Sequence, residues 1–212
     1  MRVAAALAIG YVLGSVLPAY LIGRARGVDL RMVGSGNPGT TNAYHVLGPI
    51  PAIVTGTYDV LKGIVAMAVA WRLGVPEPVV YAAGLAAWAG HHYPFYLGYH
   101  GAEGAATTAG LLLAAAVIAL ARSWLGWTDF VIVALAMLVL LAVFRSWPLA
   151  GIGGLTVAYA LVLCHSPSLA FDVFVGAATA HQLVHNIHDV RRRGLPKTHF
   201  PTARNVRTLR SP

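Results

Sequence analysis

The chain has 212 residues, of which 58% are hydrophobic and only 10% charged, with a mean hydropathy of +0.68. Soluble domains carry about 25% charged residues, so the composition excludes an ordinary soluble globule and points to an integral membrane protein. The net charge of +8 does not imply a nucleic-acid partner, because seven of the 15 basic residues crowd into the last 22 positions, just after an apolar span, where anionic headgroups attract them. The single cysteine, Cys164, excludes a disulfide and a cysteine-based metal site and reads as a packing residue.

Apolar runs and their breakers mark seven spans in chain order. The first covers residues 3–22 and stops at Arg24 and Arg26. It has the apolar length of a signal peptide but no convincing cleavage site, and is read as a helix. A polar turn at 33–42, VGSGNPGTTN, follows. The second span, 50–71, carries Asp59 and Lys62 inside it, and the third, 78–96, ends in a cluster of His and aromatic residues. A second polar turn at 90–107 leads into spans at 105–121, 130–144, 148–163 and 168–185, and a basic tail at 195–212 closes the chain. With about 20 residues per span, the expected architecture is an all-α polytopic membrane bundle of about seven transmembrane helices in one domain over 1–212.

Orientation follows from the basic residues. With the C-terminus cytoplasmic and the N-terminus outside, the inner face collects Arg24, Arg26, Arg31, Arg145, Arg191, Arg192, Arg193, Lys197, Arg204, Arg207 and Arg210. The outer face keeps Arg2, Arg72 and Arg122, as the positive-inside rule requires. Both polar turns then share the cytoplasmic face.

Those turns have the composition of anion cradles. Gly34, Gly36 and Gly39 free the backbone to turn successive N–H groups toward one anion, and Ser35, Asn37, Thr40, Thr41 and Asn42 add short donors. The second turn repeats the pattern with Gly98, Gly101 and Gly104, and Thr107 stands where the next helix begins. A helix N-terminus attracts anions.

The order of these motifs resembles the bacterial acyl-phosphate-dependent glycerol-3-phosphate acyltransferases, integral membrane enzymes that form lysophosphatidic acid. The matching residues are GSGNPGTTN at 34–42 with Arg31 upstream, and DVLKG at 59–63. Gly90, His91, Pro94, Gly101, Gly104, Ala106 and Thr107 match in the second turn, and Asn186 and Ile187 with Lys197 in the third motif. Three positions depart from the family pattern: Glu103 stands where the family has lysine, His45 where it has arginine, and Leu183 where it has histidine.

The resemblance implies acyl transfer from acyl phosphate to glycerol 3-phosphate at the bacterial inner (plasma) membrane, within phospholipid biosynthesis, with no cofactor and no metal. Ser35, Asn42 and Asn186 would be catalytic. Gly34, Gly36, Asn37, Gly39, Thr41, Gly101, Gly104 and Thr107 would bind substrate, and His45, Glu103 and Lys197 would belong to the acceptor end of the site. The partners implied are acyl phosphate, glycerol 3-phosphate and membrane lipids. An acyltransferase acting on another acceptor, or a catalytically silent relative that binds lipid or a partner, is the alternative reading.

Other residues have two readings. Asp59 and Lys62, three apart, form either a structural ion pair or part of the site. His181, His185 and His188 share a helical face with a spacing compatible with a metal but are expected to be interfacial. His91 and His92, beside Tyr93, Phe95 and Tyr96, resemble an interfacial aromatic belt.

Overall fold

The computed structural model describes the backbone of residues 1–144 and 147–193 and the side chains of residues 1–143 and 153–187. Among them the chain forms nine α-helices: α1 (Arg2–Ser15), α2 (Pro18–Ala25), α3 (Thr40–Leu47), α4 (Pro49–Arg72), α5 (Glu77–His92), α6 (Ala105–Ala121), α7 (Trp127–Phe144), α8 (Trp147–His165) and α9 (Leu169–Arg193). A 3₁₀ turn, Phe95–Leu97, lies between α5 and α6. Each of the seven expected spans contains a helix. Among the described residues, by length and composition, α4 alone can cross a bilayer, α1 with α2 can do so as a bent pair, and α6 to α8 include shorter apolar helices.

Four departures from the sequence reading are local, and two of them trace to proline. The first span is not one helix: α1 and α2 meet at 46°, because Pro18 has no N–H to offer the Gly14 carbonyl one turn back. The third span stops at His92 rather than running to Tyr96, since Pro94 disfavours the α conformation in the residue before it. The first polar turn yields earlier than expected, so Thr40, Thr41 and Asn42 form the opening turn of α3 rather than loop. The last helix runs past His185 to Arg193.

Small residues let α1 lie against α5. Gly10 and Gly14 are four apart on one face of α1, the spacing that lets helix backbones approach closely. A Cβ on Gly14 would sit 1.9 Å from the Ala87 carbonyl oxygen. Beyond this contact the core is aromatic: Tyr81 of α5 stacks on Phe174 of α9 at 5.1 Å, and Phe171 packs edge-on to Tyr81 and Trp124. Cys164 is exposed, not packed inside as expected.

Candidate active site

The break between α1 and α2 is where the site begins. A helix end leaves four carbonyls without partners, and here side chains from α4 and the second polar turn take all four. Tyr58 donates to Leu13 O at 2.9 Å, Tyr96 to Ser15 O at 2.9 Å, and Lys62 Nζ to Gly14 O at 3.1 Å and Val16 O at 3.4 Å. Lys62 also donates to Asp59 Oδ1 at 2.9 Å and meets His91 Nδ1. Asp59, Lys62 and His91 are 1%, 2% and 2% exposed, so the cluster is a closed network whose charges compensate one another. His91 is therefore a core residue, not part of an interfacial belt.

The first polar turn is shaped from within. Gly34 has φ +63° and a Cβ there would lie 2.1 Å from Asn42 Oδ1, so only glycine fits. The Asn42 side chain is buried and uses both ends: Nδ2 donates to Leu30 O and Val33 O at 3.0 Å each, and Oδ1 accepts the Ser35 N–H at 3.0 Å. Asn42 thus staples the turn to the start of α3. Just before it, Arg31 grips Asp29 through two bonds of 3.1 and 2.8 Å, and this guanidinium holds the Asp29 carboxyl down at about 2.

The second turn docks onto the first. Its backbone folds against the end of α5, with Gly101 N–H donating to His92 O at 2.8 Å and Ala102 N–H to His91 O at 3.1 Å. Glu103 N–H then reaches Asn37 Oδ1 in the first turn at 3.3 Å. This contact sets α3 and α6 around one cleft of about 830 Å³, lined by both turns, Asp59, His91 and His185. Both helices open on glycine, Gly39 for α3 and Gly104 for α6, and neither has a side-chain cap. Two sets of unsatisfied N–H groups with the positive ends of two helix dipoles therefore border the cleft, an arrangement that favours anions. The buried Thr40 hydroxyl at the cleft wall has no hydrogen-bond partner among the described residues.

A histidine cluster lies behind His185, which lines the cleft. His92 Nδ1 lies 2.9 Å from Trp88 O, and its Nε2 lies 3.0 Å from Glu103 O and 3.0 Å from His181 Nε2. His181 Nδ1 is 2.8 Å from Thr108 Oγ1, and His185 Nδ1 is 3.8 Å from Glu103 Oε2. The described residues hold no group of three or more side chains placed to ligate a metal.

Comparison with known proteins decides the family. The family model for glycerol-3-phosphate acyltransferase matches residues 4–193. The chain belongs to the glycerol-3-phosphate acyltransferase family. Among proteins named glycerol-3-phosphate acyltransferase, that of Trichlorobacter lovleyi is 36% identical over 177 residues, covering 81% of this chain and 84% of that one. That of Geobacter sulfurreducens is 47% identical over 106 residues, 50% of this chain and 55% of its own. The second acyltransferase of Moorella thermoacetica is 44% identical over 60% of this chain and 66% of its own. The matched region thus spans between half and two thirds of these last two relatives. A crystal structure of PlsY, an integral membrane glycerol 3-phosphate acyltransferase in its glycerol 3-phosphate form, superposes over all of both chains with a TM-score of 0.71 at 25% identity. The protein is an all-helical integral membrane protein of this acyltransferase family.

Within that family frame, the cleft brings together Gly34, Ser35, Asn37, Gly39, Thr41, Asn42, His45, Glu103 and Gly104. Gly36, Gly101, Thr107 and Asn186 do not line it. Gly101 is spent on docking the second turn, with a Cβ there falling 2.1 Å from His91 O; Thr107 is fully buried; and Asn186 accepts a 3.0 Å bond from Gln182 on α9. Lys197 and His188 lie outside the residues whose side chains are described. The cleft also holds Ala105, which the sequence reading did not single out, and His185, which it read as interfacial, together with Thr40 and Ala106, which it read as a donor of the first turn and a motif match, and with His91 and Asp59. The DVLKG and Gly-His matches carried the signal for the last two.

Proposed function

We propose that the chain transfers the acyl group of an acyl phosphate to glycerol 3-phosphate, giving lysophosphatidic acid and inorganic phosphate. The observation that carries this reading is the convergence of the uncapped N-termini of α3 and α6 on one cleft, within a chain of this family. An acyl phosphate is already an activated mixed anhydride, so the protein's task is to hold two anions and orient the acceptor hydroxyl. The first turn, with Ser35, Thr40 and Thr41, and the N–H groups after Gly104 hold the acyl-phosphate phosphate. Asn42 acts through the turn it staples. Asn186, Thr107, Gly36 and Gly101 support this pocket from behind, and His45, Glu103 and Lys197 serve the acceptor end.

An apolar groove of about 680 Å³ runs along α4 and α6 past Met67, Trp71, Leu113 and Val117 and supports an acyl chain lying there. Its α6 wall runs from Leu113 to Ala121, at about 1.5 Å per residue roughly 12 Å of helix. The enzyme works in the bacterial inner membrane as a multi-pass, single-domain protein among membrane lipids. Its N-terminus is outside, and the cleft and the tail at 195–212 are cytoplasmic, in keeping with the distribution of Lys and Arg.

One observation favours a second acceptor class. Among the described residues, no Lys or Arg lines the cleft, whereas the Glu103 carboxylate does. An acceptor lacking a phosphate suits that wall better. Purified protein in detergent, given palmitoyl phosphate with glycerol 3-phosphate or with glycerol, tests both readings. Lysophosphatidic acid supports the first, monoacylglycerol the second, and no acyl product from either removes both.

A further inference from the structure

One ring at the second turn meets more acceptors than a neutral imidazole can serve. His92, the last residue of α5, has Trp88 O at 2.9 Å from its Nδ1 and Glu103 O at 3.0 Å from its Nε2. A carbonyl oxygen only accepts, and a neutral imidazole carries a single N–H. Whenever the ring is neutral, one of the two carbonyls faces a lone pair; only the imidazolium donates to both. His181 Nε2, also 3.0 Å from His92 Nε2, gives the neutral ring another partner. Its N–H can fill that lone pair, and Glu103 O then goes unserved.

Resting on the acyl-transfer reading above, we propose that His92 is a positioning residue of the site, whose protonated ring ties Glu103 to α5 and so sets the opening of α6 against the substrate phosphate. It exchanges no proton with the substrate. The ring lies directly against the start of that helix: His92 leaves no room for a Cβ on Gly104, the residue on which α6 opens and part of the cleft wall. A shift of Glu103 O therefore shifts the N–H groups that follow it. His92 lies outside the motif residues that carry the family resemblance, so the hold belongs to this chain's own sequence.

Two features favour the cation. The Trp88 ring stands 4.3 Å from the imidazole ring, centroid to centroid, and an aromatic face attracts a positive charge. A phosphate at the opening of α6 favours it again, so that anion and proton strengthen each other's binding. The titratable groups around His92 are Lys62 of α4, His91 and Tyr93 beside it in the chain, Glu103 of the second turn, and His181 and His185 of α9. Lys62 is already paired with Asp59. Because the protonated ring is the one that holds, the hold is present at low pH and lost as pH rises through the ionisation of His92.

The test measures binding of hexadecylphosphonate, which mimics the phosphate end of an acyl phosphate and has no acyl group to transfer, by titration calorimetry in detergent. Wild type, His92→Phe and His92→Gln are compared between about pH 5 and 8, with acyl transfer and unfolding temperature recorded on the same samples. Comparing each variant with wild type at one pH cancels the ionisation of the phosphonate itself. His92→Phe keeps a ring against Trp88 and Gly104 but has no hydrogen to donate. It should bind about tenfold more weakly than wild type at the acid end, and the gap should close at the alkaline end. His92→Gln keeps a donor that does not titrate and should recover most of the acid-end loss. A His92→Phe gap of the same size at both ends marks packing alone and overturns the proposal, as does no gap at either end. The expected gap in a wild type that forms no acyl product removes the acyl-transfer reading and keeps the role of His92 at the anion site. A wild type that does not bind the phosphonate overturns both.

Discussion

Two carboxylate and nitrogen-base pairings occupy neighbouring parts of this molecule and behave as opposites. Asp59, Lys62 and His91 are shut inside the bundle at no more than 2% exposure, and every group is bonded to the others or to the bare end of α1. Glu103 and His185 face each other across an open cleft at 3.8 Å, with their side chains 45% and 22% exposed. Similar chemistry serves the fold in one place and is free for a substrate in the other. Burial and satisfied bonding make the difference: removing one member of a closed cluster leaves an unpaired charge in a dry interior, whereas an open pair has water as its alternative partner.

The comparison breaks if the two pairs respond alike to substitution. The largest effect is expected for Lys62→Met, which strands Asp59 and uncovers Gly14 O and Val16 O. It should cost about 3–5 kcal/mol, read as lost folded yield and a lowered unfolding temperature in detergent. Gly14→Ala comes next, since its Cβ would meet Ala87 O at 1.9 Å. Pushing α1 off α5 should cost about 1–3 kcal/mol by the same measurement, and loosen the seat that Lys62 occupies.

Asn42→Ala removes three bonds from the first turn. Displacement of the turn should lower acyl transfer by roughly 10²-fold while the bundle stays folded, as judged by circular dichroism. Glu103→Lys sharpens the contrast most. Unfolding temperature should hardly move and KM for glycerol 3-phosphate should fall, because the change supplies a cation for the phosphate where the cleft now has a carboxylate.

The smallest effect concerns Asp29, whose carboxyl Arg31 holds down at about 2 from an ordinary 3.8. A depressed folded value stabilises the protein above 3.8, and that contribution is lost as pH falls toward 2. The unfolding temperatures of wild type and Asp29→Asn should therefore differ slightly at pH 7 and converge through that window.

Much of the bundle was legible because apolar runs of bilayer length leave few alternatives: 105–121 was read to the residue, and 50–71 was one residue short at each end. The break at Pro18 was not, because whether proline kinks or ends a membrane helix depends on who satisfies the freed carbonyls, and Lys62 is 48 positions away from Gly14. In the site, the glycine-rich turn announced itself by composition. The inward direction of Asn42, the consumption of Gly101 in docking, and the arrival of His185 opposite Glu103 depend on how the two turns meet. Residues 37 and 103 make that contact, and no local spacing encodes it.

The bare end of α1 also bears on how the chain is made. In hydrocarbon an unpartnered carbonyl costs several kcal/mol, and the donors that relieve four of them, Tyr58, Lys62 and Tyr96, emerge from the ribosome some 40 to 80 residues after the carbonyls they serve. Until α4 arrives, the kinked N-terminal segment has no resting place in lipid. Biosynthesis must keep it in the translocon or at the interface until the second long helix can be inserted beside it.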